Sequence, residues 1–386
     1  MAQQHAADGA EPHVAGWTDI LGGWAERHPR ALVRLGNWES RLLEDRIRDR
    51  PIRGPIYIAG LARSGSTILL ELLSRHPDLA THRYRDFPLV LTPWIWNWFV
   101  DRAATRPHAP RERAHRDRIA VTAESPEAFE EVVWMTFFRH LHDPAANAAL
   151  DDADNPAFEA FYRDHIRKML LIRGGTRYLA KGNYNVTRLP YLLKLFPDAR
   201  FIVPIRDPVW HIASLIKQHA LFCREERRNP RILRHMRRSG HFEFGLDRRA
   251  THVGDAAATA RIERLWRNGR EVAGWAEHWR LVYGHLARTL EDRPDLRAAT
   301  VIVRYEDLCA RPAEVLAGIL ARCGLPPHDL PAEAQARVAP PAYYEPSFTA
   351  EERGLIREIT GDAARRFGYE TPGPDDRLPA ASPDAA

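Results

Sequence analysis

Pro55-Ile-Tyr-Ile-Ala-Gly60-Leu-Ala-Arg-Ser-Gly-Ser-Thr67 decides how this chain is read. The apolar run 56–59, bounded by Pro55 and Gly60, predicts a short buried strand, and 67–75 predicts a helix. The loop between them has what an anion cradle requires. Glycines let the backbone turn and approach a ligand, and the free N–H groups and positive dipole end of the following helix favour negative charge. Ser64, Ser66 and Thr67 add hydroxyl donors. The spacing Gly60-x4-Gly65-Ser66-Thr67 is that of a nucleotide-hydrolase loop, but Ser66 stands where such a loop needs Lys. The cation comes instead at Arg63, inside the loop. By itself the stretch is also compatible with a plain Gly/Ser turn.

Further strand–helix units lie downstream. Residues 177–180 predict a strand, followed by Lys181-Gly-Asn and a helix over 189–196. Residues 200–205 predict a strong strand in which Pro204 must sit at an edge or near the end. Pro208 then opens a helix to about Leu221. Arg206 falls at the carboxyl end of that strand, where open α/β sheets bind ligands, and Ser214 lies about two helical turns on. The pair could grip one phosphate, or Arg206 could simply pair with Asp207 beside a solvated Ser214. A strand at 299–303 and a helix at 312–323 follow. Strands alternating with helices predict an α/β fold: a three-layer αβα arrangement with a mainly parallel central sheet.

The aromatic residues between 262 and 290 recur at helical spacing, and Thr349-x-x-Glu352 is a capping box opening a last helix towards Phe367. Segments 85–170 and 222–260 interrupt the pattern and are read as helical insertions, a lid or an acceptor pocket. One domain is expected over 15–371, with disorder at 1–14 and 372–386. Pro93-Trp-Ile-Trp-Asn-Trp98 puts three Trp at alternate positions, suited either to stacking on a ring-bearing acceptor or to packing.

Bulk composition narrows the classes. The 386 residues carry a net charge of +5, with Lys only at 168, 181, 194 and 217. No compact basic run is interleaved with aromatics, so a nucleic-acid partner is not expected. The three cysteines include no C-x-x-C pair, so neither a disulfide scaffold nor a zinc site is expected. The first 20 residues lack an apolar signal core, and no stretch reaches the length of a membrane span. A cytoplasmic protein is the expectation.

With both anion segments in hand, the chain resembles the PAPS-dependent sulfotransferases (PAPS is 3′-phosphoadenosine 5′-phosphosulfate), most closely their bacterial branch. The resemblance spans about 55–370. It includes the Arg63-Ser-Gly-Ser-Thr67 loop, the strand leading to Arg206 and Ser214, Phe196-Pro-Asp-Ala-Arg-Phe-Ile, and Val303-Arg-Tyr-Glu-Asp-Leu308 before Pro312. It implies a P-loop-like fold and sulfuryl transfer from PAPS to a hydroxyl of a small-molecule, carbohydrate or lipid acceptor, without a metal. Arg63, Ser64, Gly65, Ser66 and Thr67 would hold the 5′-phosphosulfate, Arg206 and Ser214 the 3′-phosphate, and Arg63 and Lys181 would offset developing charge. Lys181 matches the lysine of a Lys-Thr-His stretch in the cytosolic members, whose His is the general base, but Asn183 stands at that His position. Bacterial relatives use a carboxylate shortly after the first helix, which makes Asp86 the candidate base, ahead of His82 and Glu71. A homodimer is compatible with this reading. The alternatives are a P-loop kinase or hydrolase, disfavoured by Ser66, and a non-catalytic nucleotide-binding relative.

Overall fold

The structure, a computed structural model, describes residues 16–103, 111–112, 120–338 and 346–369. The expected disorder at 1–14 and 372–386 lies outside the described residues. Five parallel strands form the central sheet: β1 (Ile56–Ala59), β2 (Leu79–Ala80), β3 (Arg177–Gly182), β4 (Arg200–Ile205) and β5 (Thr300–Arg304), in the order β2-β3-β1-β4-β5. The short β2 had no clear signal in the sequence; the other four are the predicted strands, shifted by a residue or two.

Alternation along each strand divides the core into two faces. Tyr57, Ala59, Tyr178, Phe201 and Val203 point to one. That face is covered by α5 (Pro156–Arg173) and α9 (Glu271–Asp292). Ile56, Ile58, Leu179 and Ile202 point to the other, beneath α3 (Ser66–Leu73) and α10 (Pro312–Cys323). Each fully buried Leu of α3, such as Leu69 or Leu73, contributes roughly 1.5–3 kcal/mol relative to exposure. This is the expected three-layer arrangement.

β1 has β3 on one side and β4 on the other. From β1 the chain crosses to the edge strand β2, returns inward to β3, and then passes to the other side of β1 for β4 and β5. That change of side leaves a crevice outside the carboxyl ends of β1 and β4. Pro204 is tolerated in the interior strand β4 because pairing with β1 stops at Ile58↔Ile202, so its missing N–H falls beyond the end of that ladder.

Several expectations need correction. The helical stretch 262–290 is two helices, α8 (Ala256–Arg267) and α9, broken where Gly269 turns with φ +71°. The helix opened by Pro208 is longer than predicted, α6 (Pro208–Arg228), and is capped by Asp207, whose side chain accepts from the Trp210 N–H at 3.1 Å. The 85–170 stretch is not wholly an insertion: α5 lies in the core. The alternate tryptophans fall on a helix, α4 (Pro93–Ala103), where a two-residue step rotates the side chain by about 200°, so Trp96 points away from the face that Trp94 and Trp98 share. Ahead of the sheet lie helices that the sequence pattern does not announce, among them α1 (Gly16–Arg27) and α2 (Pro29–Leu42).

Candidate active site

The loop after β1 turns into α3 through two residues in the left-handed region. Arg63 has φ +71° and Gly65 has φ +102°. A non-glycine residue held there stores strain, which surrounding contacts must offset. At Gly65 no other residue fits, because a Cβ would lie 2.7 Å from the Tyr305 ring. At Gly60 a Cβ would lie 2.7 Å from the Pro204 carbonyl oxygen. The loop is thus pressed between the ends of β1 and β4.

Two bonds fasten it to α6. Arg63 Nε donates to Ser214 Oγ at 3.2 Å. His211 Nε2 lies 2.8 Å from the Ala62 carbonyl oxygen, and Trp279 Nε1 donates to His211 Nδ1 at 3.2 Å. With Nδ1 accepting, Nε2 carries the proton and donates to Ala62. Burial, and then the neighbouring Arg206 and Arg63 charges, lower the His211 pKa to about 3 despite the bond to Ala62, so the ring is neutral.

Arg206 leaves the end of β4 nearly buried, its guanidinium 4.7 Å from the Tyr305 ring centroid. Its Nε has no hydrogen-bond partner among the described residues. A buried, unpartnered guanidinium nitrogen beside a strained N–H-rich loop suits a phosphate-bearing ligand. Tyr305 therefore touches both anion segments. Lys181, opposite Ile58 in the parallel register and nearly buried, brings a third cation to the same end of the sheet. Arg63, Ser64, Gly65, Ser66, Thr67, Lys181, Arg206 and Ser214 are thus gathered at the crevice.

Asp86 sits apart from that cluster, in a closed polar knot. It is fully buried. Its Oδ1 accepts from Arg173 and, at 2.9 Å, from Asn97; its Oδ2 accepts from the Arg83 N–H at 2.9 Å and lies 3.2 Å from His82 Nδ1. Burial pushes this carboxyl up, but His82, Arg173 and the Arg83 N–H outweigh it and hold it well below the usual range. His82 turns its other nitrogen to His165 Nε2 at 3.0 Å. Glu71 stands on α3, where its carbonyl accepts from Ser74 Oγ.

The structure brings Glu243 to the crevice, with His241 beside it. Glu243 accepts from Asn183 Nδ2 and lies 3.4 Å from His241 Nδ1. Burial lowers the His241 pKa and the Lys181 charge adds to that, but Glu243 and Glu127 win and raise it above its ordinary value. Unlike Asp86, these side chains keep exposure: 17% for His241 and 10% for Glu243. Glu243 and Asn183 line a small cavity with Leu61 and Ala62 of the loop, Leu215 of α6 and Trp275 of α9. The sequence carried only one indirect signal for the dyad, the Asn at position 183.

Comparison with known proteins identifies the family. Residues 55–252 match the family model described as "Sulfotransferase family". The omega-hydroxy-beta-dihydromenaquinone-9 sulfotransferases Stf3 of Mycobacterium bovis and Mycobacterium tuberculosis are each 25% identical over 379 residues, covering 90% of this chain and 84% of theirs. Among solved structures, sulfotransferase STF9 from Mycobacterium avium superposes with a TM-score of 0.51 at 17% identity, covering 86% of this chain and 82% of that one, a likeness of fold. With a family match beginning at the strand before the strained loop and running through both anion segments and the His241–Glu243 pair, this chain belongs to the sulfotransferase family.

Proposed function

We propose that the chain transfers a sulfuryl group from PAPS to a hydroxyl of a lipid-like acceptor, with the His241–Glu243 dyad taking the proton. The observation that carries this reading is the Arg63–Ser214 hydrogen bond, which ties the 5′ and 3′ anion segments into one site. Backbone N–H groups and hydroxyls over 64–67 cradle the 5′-phosphosulfate. Arg206 and Ser214 hold the 3′-phosphate, using the guanidinium nitrogen that has no partner. The acceptor oxygen attacks sulfur in line while the bond from sulfur to the 5′-phosphate oxygen breaks, leaving adenosine 3′,5′-bisphosphate. Arg63 and Lys181 offset the charge gathering on the leaving oxygen and the sulfuryl oxygens. The acceptor proton passes to His241, whose Nδ1 faces Glu243; Asn183 steadies that carboxylate. His241 is favoured over Asp86 because it retains exposure and feels the Lys181 charge, whereas every oxygen of Asp86 is already engaged.

The lipid-like acceptor rests on the Stf3 relatives, named for a hydroxylated dihydromenaquinone, and on the apolar lining that Leu61, Leu215 and Trp275 give the cavity. A cytoplasmic setting fits a PAPS-consuming enzyme with no helix long and apolar enough to cross a membrane among the described residues.

Thermal shift and transfer assays test the reading together. Adenosine 3′,5′-bisphosphate at about 100 times its Kd should stabilise the fold by about 2.7 kcal/mol. Sulfur-35 from labelled PAPS should appear on a polyprenyl alcohol or hydroxylated quinone. Stabilisation by ATP with Mg²⁺ alone would return the chain to the kinase and hydrolase class, and stabilisation by the bisphosphate with no transfer to any acceptor would make it a binding protein.

A further inference from the structure

We propose that the outward face of α1, extended by α2 and α4, docks on an anionic lipid bilayer. In α1 the usual pattern is inverted. Gly22 and Gly23 face inward, and the large apolar residues face out: Trp17 is 58% exposed, Ile20 76% and Trp24 40%. Their spacing of three and four residues puts them in one row along the helix. Trp38 and Leu42, one turn apart on α2, are also exposed, as is Phe99 on α4. Trp17 and Phe99 are joined beneath the surface by the buried Trp96 ring, 6.3 Å from Trp17 and 5.8 Å from Phe99 between ring centroids. A run of aromatic side chains this exposed marks an interaction surface.

Charge selects the partner. Every acid of α1 and α2 is matched by a cation: Asp19 by Arg234 and Arg238, Glu26 by Arg238 at 2.9 Å, and buried Glu39 by Lys168 at 2.9 Å. The arginines of the two helices, Arg27, Arg30, Arg34 and Arg41, are exposed and form no ion pair among the described residues. Exposed Trp beside unneutralised Arg is the chemistry of a helix lying in the headgroup plane of an anionic membrane. A second copy of the chain fits less well, because a two-fold contact would set the same arginines against one another.

The surface is placed to matter for catalysis. Asp19 and Glu26 fasten α1 to α7 (Pro230–Ser239), and α7 ends two residues before His241. A bilayer under α1 would lie beside the segment that carries the dyad. That consequence rests on the proposed function; the docking itself does not.

The test is co-sedimentation of the full chain with phosphatidylcholine vesicles and with vesicles also containing phosphatidylglycerol. Binding is expected to the anionic vesicles, weakened by salt. Combined Trp17→Ser, Ile20→Ser and Trp24→Ser should reduce it roughly tenfold. Arg30→Gln and Arg34→Gln, conservative surface changes that leave the fold undisturbed, should each reduce it about fivefold. Failure to sediment with either vesicle overturns the proposal, as does binding that neither set of variants changes. Self-association removed by the triple variant, without vesicle binding, would assign the face to a second copy instead. Vesicle binding is read without PAPS, and transfer to a detergent-dispersed acceptor is read without vesicles, so failure of one claim leaves the other standing.

Discussion

Arg63 and Ser214, 151 residues apart in the chain, meet through a hydrogen bond of 3.2 Å from the Arg63 Nε to the Ser214 hydroxyl. The bond joins the loop after β1 to the helix after β4, so an anion bound at one segment is positioned by the other. Ser214→Ala should therefore weaken adenosine 3′,5′-bisphosphate about tenfold, within the range of one hydrogen bond to a charged group. Adenosine 5′-monophosphate, which lacks the 3′ group, should lose much less. Calorimetric titration of both ligands checks this; equal losses would remove Ser214 from the 3′-phosphate.

Gly65→Ala tests the loop through sterics alone. The new methyl would sit at φ +102° and 2.7 Å from the Tyr305 ring, the same ring that lies over Arg206. The loop or Tyr305 must shift, and a shift of about 1 Å in such a site can cost about a hundredfold in rate. Turnover should fall by that order. The double variant with Tyr305→Ala should regain donor affinity only in part, since it relieves the clash but leaves the strained φ.

His211 supplies a pH dependence of stability. Its neutral ring holds Ala62, with its pKa lowered to about 3 by burial; burial likewise lowers His278 to about 3 and His235 and His219 to about 4. Such groups bind protons more readily when unfolded, from an ordinary value near 6.5. Their contribution is full above about pH 6.5 and is lost as the pH falls towards 3 to 4. Urea midpoints should drop progressively across that window. His211→Gln, which can keep one donor towards Ala62, should flatten part of the slope.

Much of this could be read along the chain, for a local reason. The strand at 56–59, the loop and the helix after it are contiguous, so periodicity and loop chemistry reveal them together. Arg206 and Ser214 were visible for the same reason, being one strand end and two helical turns. The His241–Glu243 dyad was not, because it lies in the 222–260 stretch that interrupts the strand–helix pattern, and Glu243 meets Asn183 across 60 residues. Asp86 was singled out by its position after the first helix, but position along the chain does not reveal burial. The row on α1 leaves no core signal in the sequence, because its large apolar residues point away from the core.

Asp86→Asn separates structure from chemistry. Arg173, itself nearly buried, would lose its counter-charge. Breaking one side of a buried pair costs roughly 3–5 kcal/mol. A lower urea midpoint is expected, with turnover per folded molecule retained. Unchanged stability with turnover lost would restore Asp86 to the role of base.

The dyad makes the complementary prediction. His241 must be neutral to accept a proton, and Glu243 and Glu127 raise its pKa while burial and Lys181 lower it; His235 is the nearby imidazole that responds to its charge. The rate at saturating donor should rise with pH along a limb centred above the ordinary 6.5 of histidine. Glu243→Gln removes the largest raising influence, so the limb should move to lower pH while the maximum falls as the ring loses its orientation. His241→Ala should abolish the limb and cost roughly 10²–10⁴-fold in turnover with bisphosphate affinity kept. A limb that persists in His241→Ala would assign it to another group and leave the dyad a structural pair.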